Sequence, residues 1–278
     1  MLSRLQAIVE RASAKPLTTA ERFSAATHLI SSLEYMVRRV DREPGGLNYW
    51  KYARAQVPAK TKIVQKLRDF VAREEVTQAV HASRVLAALI LIAPVRKNSV
   101  RMAANAYLAV SQVVVYPRHL FGTDGSDQVS FLVQTAAALG RAGGTEATRR
   151  AAVQFIGAQT VLSYGASGWA KLPGHPWRSG DALIKIMRTQ TYGDKWFYEQ
   201  LERYPAAARL ICHGVLVLEC TFPLLLLKKG KYLDLGLGAM GLFHIANARF
   251  MGLSRFAWAF MSTYPAVRTL AKGTGDCE

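Results

Sequence analysis

Residues 208–229 read ARLICHGVLVLECTFPLLLLKK, and their core carries no charge except Glu219. A helix crossing a bilayer needs about 20 mainly apolar residues, and this stretch has them. After the basic turn Lys228-Lys229-Gly230-Lys231 comes a second apolar stretch, KYLDLGLGAMGLFHIANARFMG. Two apolar helices joined by a basic turn read as a transmembrane hairpin whose turn faces the cytoplasm. A buried hairpin of a large soluble helical protein carries the same pattern.

Upstream lie VLAALILIAPV from Val85, SVRMAANAYLAVSQVVVY from Ser99, QVSFLVQTAAALG from Gln128 and AAVQFIGAQTVLSYGASGWA from Ala151. Short basic or glycine-rich turns separate them. Together with the hairpin they predict about six spanning or half-spanning helices. Between the groups, residues 169–207 are polar and aromatic, and Trp and Tyr favour the membrane–water interface. This segment reads as a structured interfacial loop with a helix near 179–190. The one compact β-branched run, Val113 to Val115, ends a helix-period pattern. The expected fold is all-α, a polytopic membrane helical bundle in the cell membrane.

Residues 1–84 differ, with 15 Lys and Arg against 8 Asp and Glu. Within them, 18–40 has apolar residues at helical spacing until Glu43-Pro44-Gly45-Gly46 breaks it. Residues 58–82 read as a charged helix with Ile63, Leu67, Phe70 and Val71 on one face, lying on the membrane or on the rest of the protein. The expected organisation is a basic helical region over 1–84, a transmembrane domain over 85–270 and a flexible tail over 271–278.

A mean hydropathy of only +0.07 fits this dilution of apolar runs by a polar remainder. The net charge of +17 suits basic loops or anionic lipid, with the bilayer as partner. Basic residues are dispersed and lack an RNA-binding or helix-turn-helix signature, so no nucleic-acid partner is expected. Cys212, Cys220 and Cys277 form neither a CxxC pair nor a metal-ligand spacing, so neither a disulfide framework nor a metal is expected. The amphipathic start MLSRLQAIVERASAKP lacks the long apolar core of a signal peptide.

Some polar residues sit where a membrane should be apolar. Glu219 falls near the middle of its helix and should face protein, because a charge there costs about 2.5–3.5 kcal/mol on insertion scales. Pro223 should bend the same helix. His213 lies six residues before Glu219, about 600° of rotation, so the two share no face. His244 and Asn247 are three apart on one face and need polar partners, whether in the protein or on a quinone or carbonyl oxygen. Lys171 follows YGASGWA at the end of an apolar helix. It either snorkels to the headgroups or acts as a partly desolvated base. In PRHLFGTDGSDQ, residues 117–128, Asp124 and Ser126 are helix-capping candidates, and EF-hand spacing is absent.

Three stretches resemble the membrane domain shared by vitamin K-dependent γ-carboxylase and its bacterial relatives, the HTTM domain. They are SYGASGWAKLPGHPWRSGDAL, CHGVLVLECTFPLLLL and LFHIANARFMGLSRF, and the resemblance covers roughly residues 85–267. It implies a base at Lys171 that deprotonates a reduced vitamin K-type naphthoquinone, which O2 then converts to an epoxide. By the same resemblance His244 and His119 meet the quinol oxygens, and Trp169, Trp177, Glu219 and Asn247 belong to the cofactor site. CO2 enters as a further substrate if the chain carboxylates. The chain ends soon after the last motif, so the glutamate-recognition region of the animal enzyme is missing. The other function that the resemblance implies is a non-catalytic maturation or scaffold factor for an exported peptide or a partner protein in the membrane.

Overall fold

Helix α1, Pro16–Val37, begins on a proline, whose missing N–H costs nothing in a first turn. The computed structural model describes residue 10 and residues 12–273. It is 82% helical and without strands among these residues, so the all-α expectation stands. Cys277 and most of the amphipathic start lie outside them.

The chain falls into two compact units, Leu17–Ala152 and a second centred on the chain from Val153 onward. This division differs from a boundary at residue 84. In the first unit α1 is followed by a 3-10 turn, Arg39–Arg42, then α2, Trp50–Gln56, and α3, Lys62–Val71. Next come α4, Glu74–Ile92, α5, Asn98–Val115, a 3-10 stretch Tyr116–Gly122, and α6, Gly125–Ala142. Expected as one helix, residues 58–82 are two, because Ala72 and Arg73 separate α3 from α4. Val113–Val115 closes α5 as helix.

Small residues let α1, α4 and α5 approach closely: Ala25, Ala87, Ala88, Leu91, Ala104 and Leu108 form their shared core. Polar side chains also cross this unit. The Arg84 guanidinium, buried at the expected domain boundary, donates to Ser32 and His28 of α1 and to Ser111, Gln112 and the Leu108 carbonyl of α5. These bonds tie the basic N-terminal region to the apolar runs that follow it. Asp124 caps α6 as expected and forms a reciprocal box with Asp127, whereas Ser126 lies inside the first turn and gives its N–H to Asp124.

Helix α7, Glu146–Lys171, carries the chain into the second unit. There the aromatic segment 169–207 is helical, with α8, His175–Ser179, α9, Ala182–Met187, and α10, Lys195–Arg203. Met187, Leu201 and Ala208 join these helices in one core. Helix α11, Pro205–Thr221, gives way to a 3-10 stretch, Phe222–Leu226, where Pro223 cannot continue the α-helical ladder. A short helical turn, Leu227–Gly230, leads to α12, Leu233–Met251, which ends at Gly252 with φ +69°. The chain closes with α13, Ser254–Met261, and α14, Tyr264–Lys272, so residues expected as the start of a tail are helical to Lys272.

Two helical segments among the described residues are long and apolar enough to cross a membrane, Glu74–Ile92 and Pro205–Leu226. Of each apolar window, 33% and 22% respectively is buried inside the protein. The second arm of the expected hairpin, α12, has 19 residues, but three glycines and the polar Asp234, His244, Asn247 and Arg249 dilute it.

Candidate functional site

The face of α7 formed by Tyr164, Ser167, Gly168 and Lys171 follows helical spacing, so one helix presents all four in one direction. Gly165 and Gly168 set its distance from the end of α11. A Cβ on Gly168 would stand 2.6 Å from the backbone nitrogen of Cys220, and one on Gly165 would stand 3.0 Å from Pro223. These glycines of YGASG therefore allow a backbone-to-backbone approach that larger residues would block.

That approach brings Glu219 to Lys171. The Lys171 ammonium donates to Glu219 Oε2 at 2.5 Å, to Oε1 at 2.7 Å and to Ser167 Oγ at 2.6 Å. Ser167 in turn donates to Glu219 Oε1 at 3.3 Å, which closes a small ring of polar contacts. The Glu219 side chain is 4% exposed and that of Lys171 23% exposed, so the pair opens to its surroundings only from the amine side. On that side the Trp177 ring lies 5.3 Å from Nζ, within cation–π range. Trp169 is exposed.

His244, buried on α12, meets α7 as well. Its Nε2 is 2.9 Å from the Tyr164 hydroxyl, which lies 3.4 Å from the Tyr264 hydroxyl. Burial pushes the Tyr264 phenol up to about 12, so it stays a neutral group. Phe260 stacks on the imidazole at 4.7 Å between centroids. Nδ1 of His244 is buried without a hydrogen-bond partner. Asn247 helps to end α12, its carbonyl accepting the N–H groups of Gly252 and Leu253. His213 donates from Nε2 to the Arg178 carbonyl and takes no part in the Glu219 pair.

His119 lies in the first unit, whereas Lys171 and His244 lie in the second. Its Nε2 is 2.8 Å from Nε2 of His81, and both imidazoles pack on the Tyr35 ring, at 4.1 and 4.2 Å. Arg42 covers that ring at 4.3 Å and forms an ion pair with Glu74 at 2.7 Å. Burial raises the Tyr35 phenol to about 12.

The sequence reading passed over Tyr164, Tyr264 and a buried carboxylate, Glu21, that is ringed by Arg101, Arg141 and Asn105. Period and composition mark such residues as members of helices. They do not mark them as partners. For Tyr164, its spacing from Lys171 along α7 was the available signal. Among the described residues, no group of three or more His, Cys, Asp or Glu is arranged to hold a metal ion.

Fold and site define an all-helical protein with two candidate membrane spans and a lysine–glutamate pair at the join of α7 and α11. Comparison with family models, with curated proteins and with solved structures finds no match.

Proposed function

We propose that this chain is a multi-pass membrane protein whose α7 face is an acid–base site for a reduced quinone, of the kind the HTTM resemblance implies, with Lys171 as the base. One observation carries the reading. Lys171, Glu219 and His244 come from three separate sequence motifs, and each reaches the same face of α7, directly or through Tyr164. Two apolar spans with outward-facing side chains support the membrane setting.

The residues fit a flat diol. Trp177 offers a ring face beside an amine, and the unpartnered His244 Nδ1 offers a polar atom in apolar surroundings. A reduced naphthoquinone would supply two ionisable hydroxyls and the electrons for reaction with O2. Lys171 and Glu219 supply the proton handling. Nζ lies 2.5 Å from Glu219 Oε2, so the carboxylate holds the lysine in place at the open side of the pair. Lys171, on that open side, is the group placed to exchange a proton with a quinol hydroxyl.

The test uses purified protein in nanodiscs supplied with a reduced naphthoquinone and O2, with epoxide formation as the readout. Lys171→Arg retains a cation against Glu219 yet cannot lose its proton at neutral pH. Turnover should fall by about 10²–10⁴-fold, the usual worth of a general base, with the fold intact. Undiminished turnover in that variant sinks the assignment.

The second reading is a non-catalytic maturation or scaffold factor, favoured by the completeness of the Lys171–Glu219–Ser167 ring. Under it no quinone is consumed, and Glu219→Ala lowers the yield of folded protein.

A further inference from the structure

Helix α3 is the most amphipathic surface element of the first unit. At 100° per residue Ile63, Leu67 and Phe70 fall within about 60° of arc. All three are exposed, at 81%, 59% and 49%. Val71, on one side of this stripe, is buried and anchors the helix to its own unit. Lys66 and Lys62, both exposed, lie on the other side. The apolar stripe thus faces outward with a lysine edge.

Charge around it is one-sided. From Trp50 to Val71 there are six basic residues, Lys51, Arg54, Lys60, Lys62, Lys66 and Arg68, against one acid, Asp69. That carboxylate is already taken by Arg54 at 2.9 Å and by the Trp50 indole N–H at 3.0 Å. Beside it Tyr49, Trp50, Lys51, Arg54 and Asp69 line an open cleft of about 380 Å³. Tyr and Trp rings next to basic side chains are the composition found at the headgroup level of bilayers. Two residues after α3 the candidate span Glu74–Ile92 begins, so the chain runs from this stripe directly into an apolar helix.

We propose that α3, with Trp50 and Lys51 beside it, is an interfacial helix that lies on an anionic lipid surface, its Ile63–Leu67–Phe70 stripe among the acyl chains and Lys62 and Lys66 on acidic headgroups. An exposed apolar stripe alone would accept any apolar partner. Charge complementarity selects the anionic bilayer, since each lysine near such a surface adds about 1 kcal/mol, a factor of about five. This inference rests on the membrane setting proposed above and is independent of the quinone chemistry.

Hydrogen exchange of residues 62–71 in the full chain tests it, in nanodiscs of pure phosphatidylcholine and in nanodiscs containing phosphatidylserine. Backbone amides of α3 should exchange more slowly with the anionic lipid, and Lys62→Gln with Lys66→Gln should reduce that protection by about fivefold per lysine. Both lysines are exposed, so the variants keep the fold. Leu67→Ser should weaken protection in both lipids. Equal exchange in the two lipids overturns the inference, as does protection that grows with protein concentration and not with anionic lipid, which would assign the stripe to a second copy of the chain. A carbonate wash separates this from the wider membrane reading. Release by carbonate with lipid-dependent protection intact removes the spanning helices and keeps the surface helix. Resistance to carbonate with equal exchange does the reverse.

Discussion

The Lys171 ammonium lies 2.5 Å from Glu219 Oε2, and the two side chains differ in access to solvent, 23% against 4%. This asymmetry makes the two halves of the pair unequal in stability. Lys171→Ala leaves a buried carboxylate without its cation and should cost about 3–5 kcal/mol. Glu219→Gln leaves an amine that can still reach solvent and should cost about 1.5–3 kcal/mol. The double change Lys171→Met with Glu219→Leu should cost less than Lys171→Ala alone, because no charge remains buried. Denaturation in detergent, compared across the three proteins, checks the order.

Tyr164→Phe removes the hydroxyl that links His244 to Tyr264 and leaves the imidazole Nε2 buried without that partner. A loss of about 1–3 kcal/mol follows from an unsatisfied buried polar group. If the quinone reading holds, the same variant should also weaken quinone binding, which a titration of wild type and variant would compare.

Gly168→Val should be among the most damaging single changes in the second unit. Even the first carbon of the new side chain would lie 2.6 Å from the Cys220 nitrogen and 2.8 Å from the Glu219 Cβ, so the helices must part. Overpacking of this kind costs about 1–3 kcal/mol or more. Separation should also lengthen the Lys171–Glu219 contact, so a thermal shift larger than that of Glu219→Gln is expected.

Glu21 is fully buried and accepts from Arg101, Arg141 and Asn105, so its carboxylate is in contact with two buried cations. Glu21→Ala strands both guanidinium groups and should cost about 3–5 kcal/mol. A domain stable by about 5–15 kcal/mol then loses a large share of its margin. The yield of folded protein should drop, and Glu21→Gln should fall between wild type and Glu21→Ala.

Asp69 links α2 to α3 and gives a pH-dependent signal. The hydrogen bond from Arg54 lowers its carboxyl below the ordinary value, with Trp50 and Gln65 acting in the same direction against partial desolvation. The folded state therefore binds its proton more weakly than the unfolded state does. Its contribution to stability is present above the unfolded value of about 3.9 and is lost as pH falls through the lower folded value. Asp69→Asn should accordingly lower stability in the neutral region and flatten the acid limb of the stability curve below about pH 4, where the two proteins converge. Parallel limbs in the two proteins would overturn the assignment.

Local features were legible without coordinates. Apolar spacing marks residues 18–40 as helix and α1 runs Pro16–Val37, Asp124 caps α6, and Pro223 ends the α-helical ladder of α11. The absence of a His213–Glu219 dyad also followed from rotation alone. Each of these depends on contacts within a few residues, which backbone geometry and side-chain type dictate directly. The 58–82 stretch was less legible, because its periodicity passes through Ala72 and Arg73 although the chain bends there.

Partners were a different matter. Lys171 meets Glu219 across 48 residues, Tyr164 meets His244 across 80, and Arg141 meets Glu21 across 120. Helical period assigns each of these side chains to a face, and it holds no information about which other face comes to rest against it. The sequence by itself determined an all-helical chain with apolar runs, and it named Lys171, Glu219 and His244 as residues that need partners. Only the tertiary structure decided who those partners are. Small residues such as Gly168 and Ala104 let particular helices approach closely, and that distance selects which polar groups can reach one another.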